Sequence, residues 1–376
     1  MGSPDSWPLG FGKSGSRSST RRYIGRRMLL RDKQPGAQGA GSFPENPVLL
    51  RRWRGDWAES QHRGAWALVD GAGDVKDGAG DFRAPIFARS STKSLQALPL
   101  LESGAAKHFG LTTQDFALAC SSHNAEDCHT RPVLGLLDRL ELNVGHLLCG
   151  SQAPGDPAVR RELFSRGEAP SALHHNCSGK HAGFLALGKH LGVAPEEYLL
   201  PDSESQLLVR RAVLEMCALE EGEWGLAMDG CSAPTFRMPL HKLALGMARI
   251  SDPQNLGATR ADACRHLTDA VASHPALVAG THKRLCTDLA RVTRGRLFPK
   301  IGAEAVYVVG VCGADLGLAV KIDDGNSEAM NRVVLGLLMK LGLLSRNELD
   351  ELGSWTEDTL HNAAGLAVGR TEVLLG

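Results

Sequence analysis

Two β-rich runs, Ala305-Val306-Tyr307-Val308-Val309-Gly310-Val311 and Leu316-Gly317-Leu318-Ala319-Val320-Lys321-Ile322, stand near the end of the chain with only Cys312 to Asp315 between them. So short a connection between such runs predicts a β-hairpin. Short apolar or alternating runs also fill the stretch from Pro47 to Phe87: Val48-Leu49-Leu50, Trp53 to Trp57, Ala65 to Val69 and Ile86-Phe87. Gly/Asp clusters such as Gly71 to Asp81 break them, as in a strand meander. Between these regions lie helical patterns at Ser94 to Glu102, Ser178 to Leu191, Ser205 to Leu219, Leu240 to Ile250 and Arg260 to Ala272, with a strand expected at Trp224 to Met228. Pro99 should tighten or kink the first helix, and Glu328 to Leu343 reads as a closing helix. Strands at both ends with helices in the middle predict an α/β (α+β) fold. One antiparallel sheet takes strands from both ends of the chain and is covered by helices.

Of the 376 residues, 43% are hydrophobic and 22% charged, which supplies a large core and excludes disorder throughout. No Pro/Gly/Ser-rich linker divides the chain after about Pro47, so residues 45–376 are expected to form a single catalytic domain. Residues 1–44 differ: they carry eight Lys/Arg against Asp5 and Asp32, which leaves 34 basic and 40 acidic residues in the body, a charge of −6. An acidic body offers no footprint for nucleic acid. The extension lacks the apolar run that a secretory signal or a membrane span requires, so no membrane partner and a cytoplasmic location are expected. It reads as a disordered extension; its Arg-rich, acid-poor run from Ser16 to Arg31 leaves an organellar transit peptide as the alternative. Nine cysteines without a secretion signal imply a reducing compartment and free thiols.

Chemistry enters with Ser90-Ser91-Thr92-Lys93, between a strand end and an apolar helix. At i and i+3 on a helix the two side chains share a face, so the Lys93 amine can reach the Ser90 hydroxyl and activate it. Taken alone, the same pattern also fits a serine cap followed by a solvated lysine. Two further elements of the serine acyl-transferase pattern follow in order: Ser121-Ser122-His123 after a helix-like segment, and Lys300-Ile301-Gly302 leading into Ala305 to Val311. Ile301 stands where penicillin-recognising enzymes carry Thr or Ser, which argues against a penicillin-type substrate. A second constellation pairs His174 to Gly183 with Met228 to Pro234. Within it, Cys177 precedes a helix whose dipole favours a thiolate, Lys180 lies one turn on, and Cys231 occupies a turn after a strand. Two thiols and an amine could hold a soft ion such as Zn²⁺, or could be buried groups of the core.

Taken together, Ala88 to Lys93, Gln96 to Pro99, Leu118 to His123, Asn176 to Gly183, Met228 to Cys231 and Lys300 to Glu304 closely resemble the asparaginase II family, the rhizobial-type L-asparaginases. The match runs from about Asn46 to the C-terminus. The resemblance implies a serine β-lactamase and glutaminase type of fold, a homodimer, and hydrolysis of L-asparagine to L-aspartate and ammonia. It also implies two Ser-Lys pairs, Ser90 with Lys93 and Ser122 with Lys300. Cys177, Lys180 and Cys231 would bind Zn²⁺, which modulates substrate binding, and Arg89, His181, Asp229 and Glu304 would line the substrate pocket. An L-glutaminase of the same fold differs by one methylene in its substrate. A non-catalytic metal- or amino-acid-binding protein would keep only the Cys/Lys set.

Overall fold

The computed structural model describes residues Glu45–Leu375; the N-terminal extension, residues 1–44, lies outside the described residues. Eleven strands are described: β1 (Val48–Arg54), β2 (Trp57–Asp70), β3 (Val75–Ala79), β4 (Pro85–Phe87), β5 (Gly225–Met228), β6 (Pro234–Pro239), β7 (Leu297–Gly302), β8 (Val306–Val311), β9 (Leu316–Ile322), β10 (Thr359–His361) and β11 (Ala367–Val373). Eight form a sheet in the order β10-β11-β1-β2-β9-β8-β7, with β3 also on β2; β4, β6 and β5 form a second, three-stranded sheet. Every pairing is antiparallel.

The Ala305–Ile322 hairpin forms as expected, and β11 on β1 brings both ends of the described region into one sheet. Successive side chains of a strand point to opposite faces, and here both faces are buried. Ala65, Ala67, Val69, Val306, Val308 and Ala319 join one apolar cluster, while Trp66, Leu68, Tyr307, Val309, Leu318 and Val320 join another. Helices therefore cover both sides, Leu240–Ser251 on the first and Ser327–Lys340 on the second.

Several expectations need correction. The single sheet is two, and β3 lies inside the Gly71 to Asp81 stretch that reads as a break. The expected Trp53 to Trp57 run is split: Trp53 and Arg54 end β1, Gly55 and Asp56 form a turn, and Trp57 opens the longer β2. Lys300 does not begin the Ala305 to Val311 strand; it sits inside β7, which pairs with that strand. Pro299 masks β7 in the sequence, and its missing N–H is tolerated because β7 is the edge of the sheet. The Ser327–Lys340 helix does not close the fold, since β10 and β11 follow.

Gly310 and Gly317 face each other across β8 and β9 and form the floor on which Leu240–Ser251 lies. A Cβ at Gly317 would come 2.1 Å from the Ala244 carbonyl oxygen, so helix and sheet approach closely only because the side chain is absent. Gly317→Ala should push the helix off and cost about 1–3 kcal/mol as overpacking. In urea the midpoint should fall with the slope unchanged.

Candidate active site

Three segments converge on Ser122. Ser122 follows the Thr113–Ala119 helix, Lys93 opens the Lys93–Glu102 helix, and Lys300 stands in β7. The Ser122 hydroxyl accepts from Lys93 Nζ at 3.0 Å and from Lys300 Nζ at 2.8 Å, with all three side chains buried. Lys93 Nζ also donates to the Ser121 carbonyl and to Cys177 Sγ, the latter at 3.2 Å, so its three donors have three acceptors. Burial, reinforced by the positive charge of Lys93, pushes the Lys300 amine down to about 7. Lys300 is therefore the amine poised to be a neutral base near neutral pH.

Ser90 sits in the single 3₁₀ turn Arg89–Thr92, half-buried, and no hydrogen bond joins its hydroxyl to Lys93 among the described residues. The i, i+3 reasoning assumed a continuous α-helix; here the helix begins only at Lys93, and the amine turns inward to Ser122. The turn itself is held at several points. Arg89 adopts φ 52°, a left-handed conformation that costs energy for a side chain of its size. Its Nε donates to Asp229 Oδ1 at 2.8 Å, which ties it to the turn after β5. The Ala88 N–H donates to Phe236 in β6. At the far side, Gly302 of β7 lies so near that a Cβ would be 2.8 Å from the Ala88 carbonyl oxygen.

The second constellation also assembles. Cys177 caps the Ser178–His190 helix, as its position predicts. Gly179 lets that helix close on Thr113–Ala119, since a Cβ there would stand 2.4 Å from Leu118 O. Cys177 and Cys231 are buried hydrogen-bond partners. That bond favours the Cys177 thiolate against the opposing cost of burial, and Lys93 and Lys180 add to it. The same contact, with burial, pushes Cys231 up. Lys180 Nζ donates to Cys231 Sγ at 3.1 Å; burial opposes its charge, but the two sulfurs more than offset this and raise its pKa. Two thiols and an amine meeting in a buried space are a donor set that suits Zn²⁺.

The remaining assigned residues divide. Asp229 stands beside this set, with Cys231 Sγ 3.8 Å from its Oδ2. His181 is fully buried and bonds Tyr198 through Nδ1 at 2.5 Å; burial, then the Lys180 charge, holds its pKa well below the usual range. Tyr198 also accepts from the Leu148 N–H, and His181 Nε2 is buried with no hydrogen-bond partner among the described residues. Glu304 is exposed on the β7–β8 turn at φ 59°, its carboxylate next to Gly325 and its carbonyl oxygen accepting from Lys321 Nζ at 2.8 Å; among the described residues no hydrogen bond joins it to Ser90, Lys93, Ser122 or Lys300. Two neighbours escape sequence reasoning. Arg284 donates to Asn124 Oδ1 and to the Ser122 carbonyl oxygen, both at 2.6 Å. His123 Nε2 lies 2.9 Å from Ser178 Oγ. His123 falls in a quoted motif, whereas nothing in the stretch around Arg284 marks it.

The L-asparaginase II family description matches residues 50–373, most of the chain. The chain belongs to the L-asparaginase II family. The six motifs that carry the resemblance fall within the matched region. A search of curated proteins found no match. Among solved structures, the chain is similar to Mglu in 4.3 M NaCl, at 15% identity over 80% of this chain and 66% of Mglu, with a TM-score of 0.42. It is also similar to a β-lactamase from Mycobacterium bovis, at 15% identity over 74% of this chain and 94% of that one, with a TM-score of 0.40. The chain thus spans slightly less than two thirds of Mglu's length. Among the described residues, no helix is long and apolar enough to cross a membrane.

The depressed Lys300 pKa can be checked directly. In Lys93→Met the neighbouring positive charge is gone, so the Lys300 amine should titrate above its wild-type value of about 7. Lysine-selective ¹⁵N NMR across pH would read this, and an unchanged midpoint would leave burial alone as the cause.

Proposed function

We propose that residues 45–376 form the single catalytic domain of an L-asparaginase that hydrolyses L-asparagine to L-aspartate and ammonia and works as a homodimer. The observation that supports this reading best is the buried Lys93–Ser122–Lys300 array beside the Ser90 turn. It supplies two hydroxyls and two amines, one of them neutral near pH 7, within one family of amidohydrolases.

In this reading neutral Lys300 first draws a proton from Lys93 through the Ser122 hydroxyl that both amines contact, and the Lys93 amine so freed swings to take the Ser90 hydroxyl proton as Ser90 attacks the side-chain amide carbon. The outward edge of β7, next to the Ala88–Ser91 backbone, offers N–H groups to the oxyanion. Ser122 relays a proton between Lys300 and the leaving nitrogen, ammonia departs, and water hydrolyses the acyl-enzyme. Arg89 and Asp229 present opposite charges at the mouth of the site to the substrate's α-carboxylate and α-ammonium. His181 and Glu304 complete the pocket in this proposal. Cys177, Lys180 and Cys231 would hold Zn²⁺, which would order the pocket rather than supply the nucleophile.

A second reading exchanges the serines, favoured by the 2.8 Å bond between Ser122 and the easily deprotonated Lys300. Trapping the acyl-enzyme with a slow substrate and mapping it by mass spectrometry separates the two. The adduct is expected on the peptide containing Ser90, and an adduct on Ser122 would transfer the role. Ser90→Ala should lose ammonia release from asparagine by several orders of magnitude with the fold intact. Asparagine should outrun glutamine, a difference of one methylene worth about 1–3 kcal/mol in a fitted pocket.

Because Lys300 must be unprotonated to accept a proton, kcat/KM should rise with pH through about 7. Lys300→Met should abolish that limb together with turnover. For the metal, purified protein should carry zinc that Cys231→Ser loses. A zinc-free preparation, or a Cys231→Ser chain with the same zinc content, would remove the ion from the proposal.

A further inference from the structure

Ser122 lies in a stretch, residues 121–126, that belongs to neither helix nor strand, so no regular ladder holds its backbone. Buried backbone groups need partners, and both of Ser122's come from one segment far along the chain. Its N–H donates to the Val278 carbonyl oxygen at 2.8 Å, and its own carbonyl accepts from Arg284 Nη2 at 2.6 Å. We propose that Arg284 is a positioning residue of the site, fixing the Ser122 backbone so that the hydroxyl stays between the Lys93 and Lys300 amines in the proton-relay role proposed above, on which this assignment rests.

One guanidinium spans two acceptors on that stretch, since Nη1 also donates to Asn124 Oδ1 at 2.6 Å. Asn124 is buried, and its own carbonyl accepts the Asp156 N–H, so the fork braces a point where two loops meet. Among the described residues no carboxylate pairs with Arg284, and burial holds its pKa below the usual arginine value. A charge taken from water without a carboxylate partner costs stability, so general packing does not account for it. The chain is also bent to deliver it. Lys283, just before it, adopts φ 52°, an unfavourable left-handed conformation for a side chain. Gly280 crosses the Asn124 side chain at φ 134°, where a Cβ would come 2.5 Å from Nδ2. Thr281 anchors the same segment through its N–H and hydroxyl on the Glu126 carboxylate, at 2.9 and 2.8 Å. Residues 278–284 thus grip residues 122–126 along their length.

The same charge reaches the other partner of the hydroxyl. Burial does most to hold the Lys300 amine at about 7, and the cations Lys93 and Arg284 press it further down, while the thiols of Cys286 and Cys177 oppose them. Cys120, after the Thr113–Ala119 helix, is the remaining titratable group that senses Lys300. Arg284 stands just before the Leu285–Val292 helix that carries Cys286, so one side chain both fixes the relay hydroxyl and biases the amine beside it.

Arg284→Lys and Arg284→Gln in the full-length chain separate fixing from charge. Lysine keeps a cation without the planar fork, and glutamine keeps a donor without the charge. In ammonia release from asparagine, kcat should fall at least about tenfold in both, with KM changed by less than about twofold and circular dichroism unchanged. The rise of kcat/KM with pH should stay near about 7 in Arg284→Lys and move upward in Arg284→Gln, because a lost cation makes Lys300 easier to protonate. Wild-type kcat in both variants, or an unmoved pH rise in Arg284→Gln, would overturn the assignment. If Arg284→Gln fails to fold, kcat of Arg284→Lys alone decides. A wild-type chain that releases no ammonia from asparagine would sink the asparaginase reading instead. Lysine-selective ¹⁵N NMR then decides for Arg284: a higher Lys300 midpoint in Arg284→Gln than in the wild type supports it, and an equal one overturns it.

Discussion

Two lysine amines meet over one serine hydroxyl inside the protein, and much of the surrounding structure can be read as what that meeting demands. Like charges in a dry space repel strongly. The arrangement persists because one amine gives up its proton readily and the other is surrounded by acceptors. Lys93 has the Ser121 carbonyl, the Ser122 hydroxyl and Cys177 Sγ around it. Lys300, burdened by burial and by that neighbour, is the member that yields. The Cys177 sulfur links this array to the Cys231 and Lys180 set, so the charge state of one cluster acts on the other.

Close backbone approach makes the convergence possible. Gly302 brings the edge strand against the turn that carries Ser90, Gly179 brings the Cys177 helix against the segment that leads to Ser122, and the facing glycines of β8 and β9 seat the Leu240–Ser251 helix. Each removes a side chain where two elements would otherwise be held apart by the width of a methyl group. Ion pairing then fixes what packing brings near, as with Arg89 of the Ser90 turn and Asp229 of the turn after β5.

Most of the fold is legible where hydrophobic period and length agree. The hairpin around Cys312 to Asp315, the Ser178–His190 helix and the Leu240–Ser251 helix all stand within a residue or two of their expected limits. The sequence misleads where local propensity is overruled. β7 contains Pro299 and Lys300, β6 is bracketed by Pro234 and Pro239, and β11 is polar and half-exposed, so none presents a strand pattern. The same division holds for the site. Motif order singles out Lys93, Ser122, Lys300, Cys177, Lys180 and Cys231, and the structure gathers them into adjoining contacts. Where each side chain points could not be read, because the 3₁₀ turn at Ser90 and the buried guanidinium of Arg284 depend on partners far away in the chain.

The order of the large sheet has a practical corollary. β2 is long enough to serve three neighbours, β1 along Trp57–Arg63, β9 along Gly64–Asp70 and β3 along Trp66–Val69. Lys300 lies on the β7 edge, whereas β11 is five strands away, about 24 Å along the sheet at the usual inter-strand spacing. The β11 margin is thus a natural handle for tethering the protein to a resin or electrode, with the Lys300 edge at the opposite end of the strand order.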